Sequence, residues 1–282
     1  MLGAITGDII GSRFEFNGIK STDFELFGRG CRYTDDSAMT MAVAEWLLDD
    51  PSHTLEVLEQ KMVKYGELDP NAGYGGKFYD WLFNPRKLWP DGVRRPYNSW
   101  GNGSAMRVSA VGWMFDTMEE TLRVVELSAS ITHNHPEGIK GAQAVAAAVF
   151  MARNGFSKEE IKNYIAKSFG YDLNRTIDQI RPIYQFEVSC QKSVPVAIIA
   201  FLDSTDYESA IRLAISLGGD ADTQACIAGG IAEAFYGMPD ALVEDIGYHL
   251  LPVFKTNIIR LADNSSYACR RDQLRRCWKK KM

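Results

Sequence analysis

GIKGAQAVAAAVFMA, residues 138–152, is the stretch on which the fold turns. Alanine leads the helix-propensity scale, and its short side chain lets neighbouring helices come close, so this run predicts a central, tightly packed helix. Working outward, apolar residues recur at helical spacing on both sides: Met39, Val43, Trp46 and Leu47; Leu55, Leu58 and Met62; Leu122, Val125, Leu127 and Ile131. The same signal predicts helices over 158–169, 194–202, 207–217, 223–236 and 241–261. Tyr184, Phe186 and Val188 alternate with polar residues, but one short run cannot make a sheet and reads as a loop or a minor edge. No repeat, linker or composition shift divides the chain, so the expectation is a single all-α domain over 1–282, an orthogonal helical bundle.

With 46% hydrophobic and 24% charged residues and a net charge of -5 over 282 residues, the chain is an ordinary globular protein rather than a disordered one. Mild acidity gives no general attraction for nucleic acid or anionic lipid. The basic stretch of Arg270, Arg271, Arg275, Arg276 and Lys279–Lys281 reads as a solvated terminal helix. Five scattered cysteines without CxxC spacing suggest neither a disulfide framework nor zinc, and a reducing cytoplasm fits them best. Asp8 interrupts the apolar N-terminus and no basic residue precedes it, which excludes a signal peptide or membrane span there.

Two oxygen-rich segments carry the chemistry. Thr34, Asp35 and Asp36 precede an apolar helix; Gly218, Gly219, Asp220, Ala221, Asp222 and Thr223 lead into another. Each by itself reads equally as a helix cap, with acids favoured by the helix dipole. Together they offer only oxygen donors, and two adjacent helix N-termini can aim all six groups into one pocket. Four crowded carboxylates repel one another unless a cation sits among them. Oxygen-only ligation points to Mg²⁺ or Mn²⁺, and four acids suit a pair of ions roughly 3.5–4 Å apart. Lesser features are the glycine turn Gly101, Asn102, Gly103, Ser104, Ala105, Met106, Arg107, which is an ordinary turn or a phosphate cradle; Thr132–Pro136 with His133 and His135, read as caps or ring-stacking residues ahead of metal ligands; and Glu15, a surface carboxylate or a catalyst. The irregular, aromatic stretch from Gly66 to Gly103 is long enough to be functional.

GAITGDIIGSRFEF, YTDDSAMTMA, GNGSAMRVSAVG, SITHNHPEGIKGA and SLGGDADTQACIAG occur in the order of the signature segments of the ADP-ribosylglycohydrolase family, which the chain resembles over nearly its whole length. That family includes the enzymes that reactivate ADP-ribosylated dinitrogenase reductase. The resemblance implies an all-α fold with a binuclear Mg²⁺ or Mn²⁺ site. It carries the ligand role onto Thr34, Asp35, Asp36, Asp220, Asp222 and Thr223, with Asp222 bridging. It implies that Gly101, Asn102, Gly103, Ser104 and Met106 line an ADP-ribose cleft, that His133 lies against the ligand, and that Glu15 is an acid held on a loop over the metals. Members of the family diverge between the first acid cluster and the glycine turn, so the resemblance assigns no role to the loop from Gly73 to Trp100, which is expected to set specificity.

The expected reaction is hydrolysis of the bond between ADP-ribose and a modified target, with Glu15, Asp35, Asp36 and Asp222 as the catalytic set. The target is a protein side chain or small conjugate; the lack of a basic face disfavours a nucleic-acid adduct. Two competing readings are a non-catalytic ADP-ribose-binding or structural member of the same fold, and a Mg²⁺-dependent prenyl-diphosphate enzyme. Intact acid clusters argue against the first. The second usually shows DDxxD inside a helix, whereas these acids are at helix starts.

Overall fold

Helix after helix closes around one apolar core, and the computed structural model, which describes residues 1–278, contains no strand among them. In chain order the helices are α1 Leu2–Gly11, α2 Asp35–Asp49, α3 Leu55–Leu68, α4 Gly76–Phe83, α5 Pro85–Leu88, α6 Ser109–Met114, α7 Met118–Ser130 and α8 Pro136–Arg153. They continue as α9 Lys158–Phe169, α10 Ile177–Ile180, α11 Cys190–Asp203, α12 Tyr207–Ile215, α13 Ala221–Tyr236, α14 Asp240–His249, α15 Pro252–Asn264 and α16 Arg271–Trp278. The basic terminus is helical through α16, and its last lysines lie outside the described residues.

Local chemistry explains the boundaries. Ser157 and Glu160 close a capping box at the start of α9, and Gly170 ends it in the left-handed conformation. Asp206 caps α12 and Thr117 caps α7. The alanine-rich α8 is buried along most of its length against α6, α7, α9, α11 and α13.

α13 is buried at every position from Ala221 to Ala234 and flanked by α1, α8, α11 and α12. Its contact with α1 is backbone against backbone. Gly3, Gly7 and Gly11 repeat every fourth residue and so share one helix face. A Cβ at Gly3 would lie 2.5 Å from the Gly229 oxygen, one at Gly7 2.5 Å from the Ala225 carbonyl carbon, and one at Gly11 2.6 Å from the Asp222 Cα. Only glycine permits this approach, and it brings the chain's first helix against the start of the DxDT segment.

Two helix boundaries differ from expectation. The helix predicted over 241–261 is two: Leu251 is extended before Pro252, which opens α15 at the position where a missing N–H costs nothing. The helix predicted to start at Val194 begins at Cys190 and runs through Pro195. The stretch 66–103 contains α4 and α5, and Tyr184–Val188 is a loop followed by one isolated bridge between Ser189 and Gly101. No helix is long and apolar enough to cross a membrane among the described residues.

Candidate active site

The two acidic segments, distant in sequence, meet. Thr223 Oγ1 donates to Asp36 Oδ2 at 3.1 Å, so the N-termini of α2 and α13 converge. Thr34 is the N-cap of α2, its side chain accepting from the Asp36 N–H. Asp220 is the N-cap residue of α13, reached through a turn in which Gly218 and Gly219 hold φ of 67° and 84°, a region L side chains avoid. Asp36, Asp220, Asp222, Thr34 and Thr223 are buried, and Asp35 is half-buried in the cleft wall.

Asp8, noted in the sequence but given no role, belongs with them. It is fully buried and accepts from the Thr34 N–H at 3.0 Å, Thr34 Oγ1 at 2.6 Å, the Ser37 N–H at 3.0 Å and Ser37 Oγ. It thereby holds the first turn of α2 in register. Carboxylate oxygens of Asp8, Asp36 and Asp222 lie within 4.8 Å of one another, as do those of Glu15, Asp220 and Asp222. Asp222 is common to both groups.

Such crowding is costly without a cation. Burial, then the neighbouring carboxylates, hold Asp35, Asp36 and Asp222 well above the usual carboxylate range. Burial also raises Asp8 and Asp220, against the hydrogen bonds they accept. Glu15, on the loop after α1, is pushed up to about 7 by burial and by Asp220 and Asp8. Asp36 Oδ1 is buried with no hydrogen-bond partner among the described residues. A buried, oxygen-only donor set with an orphaned carboxylate oxygen fits a hard divalent cation.

The cluster floors one end of a cleft of about 600 Å³. Gly101, Asn102, Gly103, Met106 and His133 line it; Ser104 is behind the wall, its hydroxyl donating to the Gly138 oxygen at 2.7 Å. Thr34 likewise is buried behind the lining residues. Asn102 joins turn and cluster, its amide donating to Asp220 Oδ2 at 2.6 Å. Burial, and then the Arg107 guanidinium, push His133 well below the usual imidazole range. Its Nδ1 pairs with Thr132 Oγ1, and its Nε2 edge faces the glycines of the turn. Arg107 is fully buried and grips the Gly103 and Ser128 oxygens, with burial lowering it to about 10. His135 caps α8 through Nδ1 and packs edge-on against Trp100, the capping and stacking roles expected of it.

Sequence reasoning assigned no contacts to the aromatic loop, yet Gly73, Gly76, Lys77, Tyr97 and Trp100 line the cleft. Asp35 N–H donates to the Ala72 oxygen at 2.9 Å, which docks this loop on the start of α2. Phe186 and Val188, read as a minor edge, form part of the opposite wall, and Phe186 stacks on Phe16 at 6.2 Å.

The protein thus combines an all-helical fold with a carboxylate-floored cleft at its helix starts. A solved structure described as an ADP-ribosylglycohydrolase-related protein complex matches it at a TM-score of 0.68 and 20% identity, over 93% of this chain and 94% of that one. The chain belongs to the ADP-ribosylglycohydrolase family, whose sequence profile matches residues 1–275. Among curated relatives, ADP-ribosylhydrolase ARH3 of Homo sapiens is 28% identical, the match covering 84% of each protein. ADP-ribosylarginine hydrolase Tri1 of Pseudomonas putida is 25% identical, over 88% of this chain and 73% of that protein.

Proposed function

We propose that the chain acts as one catalytic unit that hydrolyses the glycosidic bond between ADP-ribose and a modified target, with two Mg²⁺ or Mn²⁺ ions held by Thr34, Asp35, Asp36, Asp220, Asp222 and Thr223. The observation that carries this reading is the meeting of the two acid pairs at the floor of a ligand-sized cleft. When bound, such ions orient hydroxyls of the sugar and make a water nucleophilic near neutral pH.

The protein's own groups supply the rest. Positive charge develops on the ribose as the bond breaks, and the cluster's net negative charge favours it. Glu15, whose carboxylate groups with those of Asp220 and Asp222, is placed to exchange a proton with the target or the attacking water. The N–H group of Gly103 and those of Gly76 and Lys77 in the first turn of α4 have no intramolecular acceptor among the described residues. They are the donors we assign to the diphosphate, with Lys77 beside them. Neutral His133 adds a ring edge without a charge to desolvate. Tyr97 and Trp100 are the aromatic surfaces for the base.

A release assay tests the proposal: free ADP-ribose measured from arginine-linked and serine-linked peptides and from small conjugates, with Mg²⁺, with Mn²⁺ and in excess EDTA. Release that persists undiminished in EDTA removes the metal; no release from any substrate removes the hydrolase.

A further inference from the structure

The segment 183–188 separates the catalytic cleft from a second cavity of about 620 Å³ on its other side, and Phe186 lines both. It lies at the carboxylate end: a Cβ at Gly219 would come within 3.1 Å of the Gln185 oxygen and 3.2 Å of the Phe186 Cα. The segment is fastened at both ends. Lys20 Nζ donates to the Tyr184 oxygen at 2.8 Å and also to the Leu217 oxygen. At the other end, the Val188 oxygen accepts from the Asn102 N–H at 2.8 Å, and Ser189 bridges Gly101.

Between these fastenings the backbone is unpaired. The N–H groups of Gln185, Phe186, Glu187 and Val188, and the carbonyls of Gln185, Phe186 and Glu187, make no hydrogen bond among the described residues. The side chains are exposed and apolar at intervals: Ile183 is 70% exposed, Phe186 52% and Val188 48%. Unpaired backbone N–H and C=O groups beside exposed apolar side chains are what an extended polypeptide can pair with when it docks. Nucleic acid gains no net positive charge here: Glu137, Asp172 and Glu187 line the second cavity against Lys140, Arg175 and Lys192, and Lys140 and Lys192 are paired with Glu137 and Glu187.

We propose that the residues flanking the modified side chain of a polypeptide target lie along 185–188, with one flanking side chain entering the second cavity beside Ile183. This rests on the hydrolase reading above, because a target bonded to ribose at the carboxylate cluster leaves the cleft beside Phe186.

The experiment compares kcat/KM for three substrates carrying the same linkage: a modified peptide of about ten residues, the modified amino acid alone, and the peptide N-methylated at alternate flanking positions so that it cannot pair. A modified single-stranded oligonucleotide is the fourth arm. The peptide is expected to exceed the amino acid by tenfold or more. That advantage is expected to vanish on N-methylation and in Ile183→Asp, a substitution outside the cleft that leaves turnover of the modified amino acid within twofold of wild type. Equal values for peptide and amino acid, an advantage that survives both changes, or preference for the oligonucleotide overturns the proposal. Anisotropy of the labelled modified peptide, measured in parallel, separates the two claims. Binding weakened by Ile183→Asp without any turnover refutes hydrolysis and supports the docking segment; turnover with no peptide advantage does the reverse.

Discussion

Replacing Gly7 by alanine is the sharpest test of how the site is built, because it touches no cleft residue. The new methyl group would stand 2.5 Å from the Ala225 carbonyl carbon and closer still to its oxygen. Carbon atoms pack comfortably at about 3.5–4.0 Å, so α1 and α13 must separate by roughly 1 Å. A gap of that size forfeits a quarter to a half of each contact's dispersion energy along the seam. Alanine's intrinsic helix preference returns about 1 kcal/mol. Overpacking typically costs about 1–3 kcal/mol, and a contact against rigid backbone belongs at the upper end; a net loss of about 2 kcal/mol is expected, or roughly 4 °C in Tm for a chain of this size.

The displacement has a second consequence. Asp8 rides on α1 and Asp222 on α13, and their carboxylates lie within 4.8 Å through Asp36. Moving one helix by about 1 Å should therefore weaken metal binding by tenfold or more, the range seen when supporting contacts of metal ligands are lost. The assay is thermal unfolding followed by circular dichroism, with and without Mn²⁺. Gly76→Ala serves as control, since a Cβ there meets nothing within 4 Å. If Gly7→Ala melts within 1 °C of wild type and keeps the full metal-induced rise in Tm, the argument from close approach is wrong.

Three further outcomes are expected. Because burial and mutual repulsion raise Asp35, Asp36 and Asp222, the metal-free protein carries a penalty at high pH that is relieved as pH falls through the raised values. In EDTA it should gain stability on going from pH 8 to 5.5, while the rise in Tm given by Mg²⁺ or Mn²⁺ shrinks over the same interval as protons compete; a metal-induced rise independent of pH contradicts this. Glu15→Gln should lower kcat by roughly 10²–10⁴ while retaining helical circular dichroism and the metal-induced rise in Tm, and wild-type kcat in this variant would exclude Glu15 from proton transfer. Glu45, against the desolvation of its burial, is brought from 4.5 to about 2 by Lys61, Lys64 and the Tyr65 hydroxyl. Its contribution is present above pH 4.5 and lost as pH falls towards 2; after allowing for solvent around the lysines it is on the order of 2 kcal/mol. Urea titrations of wild type and Glu45→Gln should therefore differ at pH 6 and converge near pH 2.5, and parallel curves would refute the assignment.

What was legible in the sequence follows the range of the interactions. Helical periodicity is local, so α2, α3, α7, α8, α9 and α13 could be read from spacing alone. The acid pairs were legible because each sits on its own helix start, where cap chemistry confines the residue type. Asp8 was not: its role depends on α1 pressing against α13, and the signal that could have shown it is the Gly3, Gly7, Gly11 spacing rather than the acid. The break at Pro252 was overlooked because apolar periodicity resumes in phase on both sides of it. The wall at 183–188 was missed for a different reason. Its alternation is genuine, but a strand is normally recognised by the partner it pairs with, and among the described residues the only pairing is at its end, where Val188 and Ser189 meet Asn102 and Gly101.

These failures share a cause that bears on how the site works. A cluster of buried carboxylates pushes its own supports apart, so it persists only where the scaffold is stiffer than the repulsion. Here the stiffness comes from contacts with no side-chain freedom to yield: glycine backbone against backbone between α1 and α13, two left-handed glycines before Asp220, and four donors converging on Asp8. Glu15, Phe16 and Phe186 lie outside the helices at the rim, where Phe16 is 80% exposed. If rigidity below and adaptability above are separate properties, Gly7→Ala and Ile183→Asp should act independently. The first should lower metal affinity for every substrate alike and the second should lower only peptide preference, so their effects on kcat/KM should multiply. A double variant markedly better or worse than that product would mean the rim and the cluster move as one body.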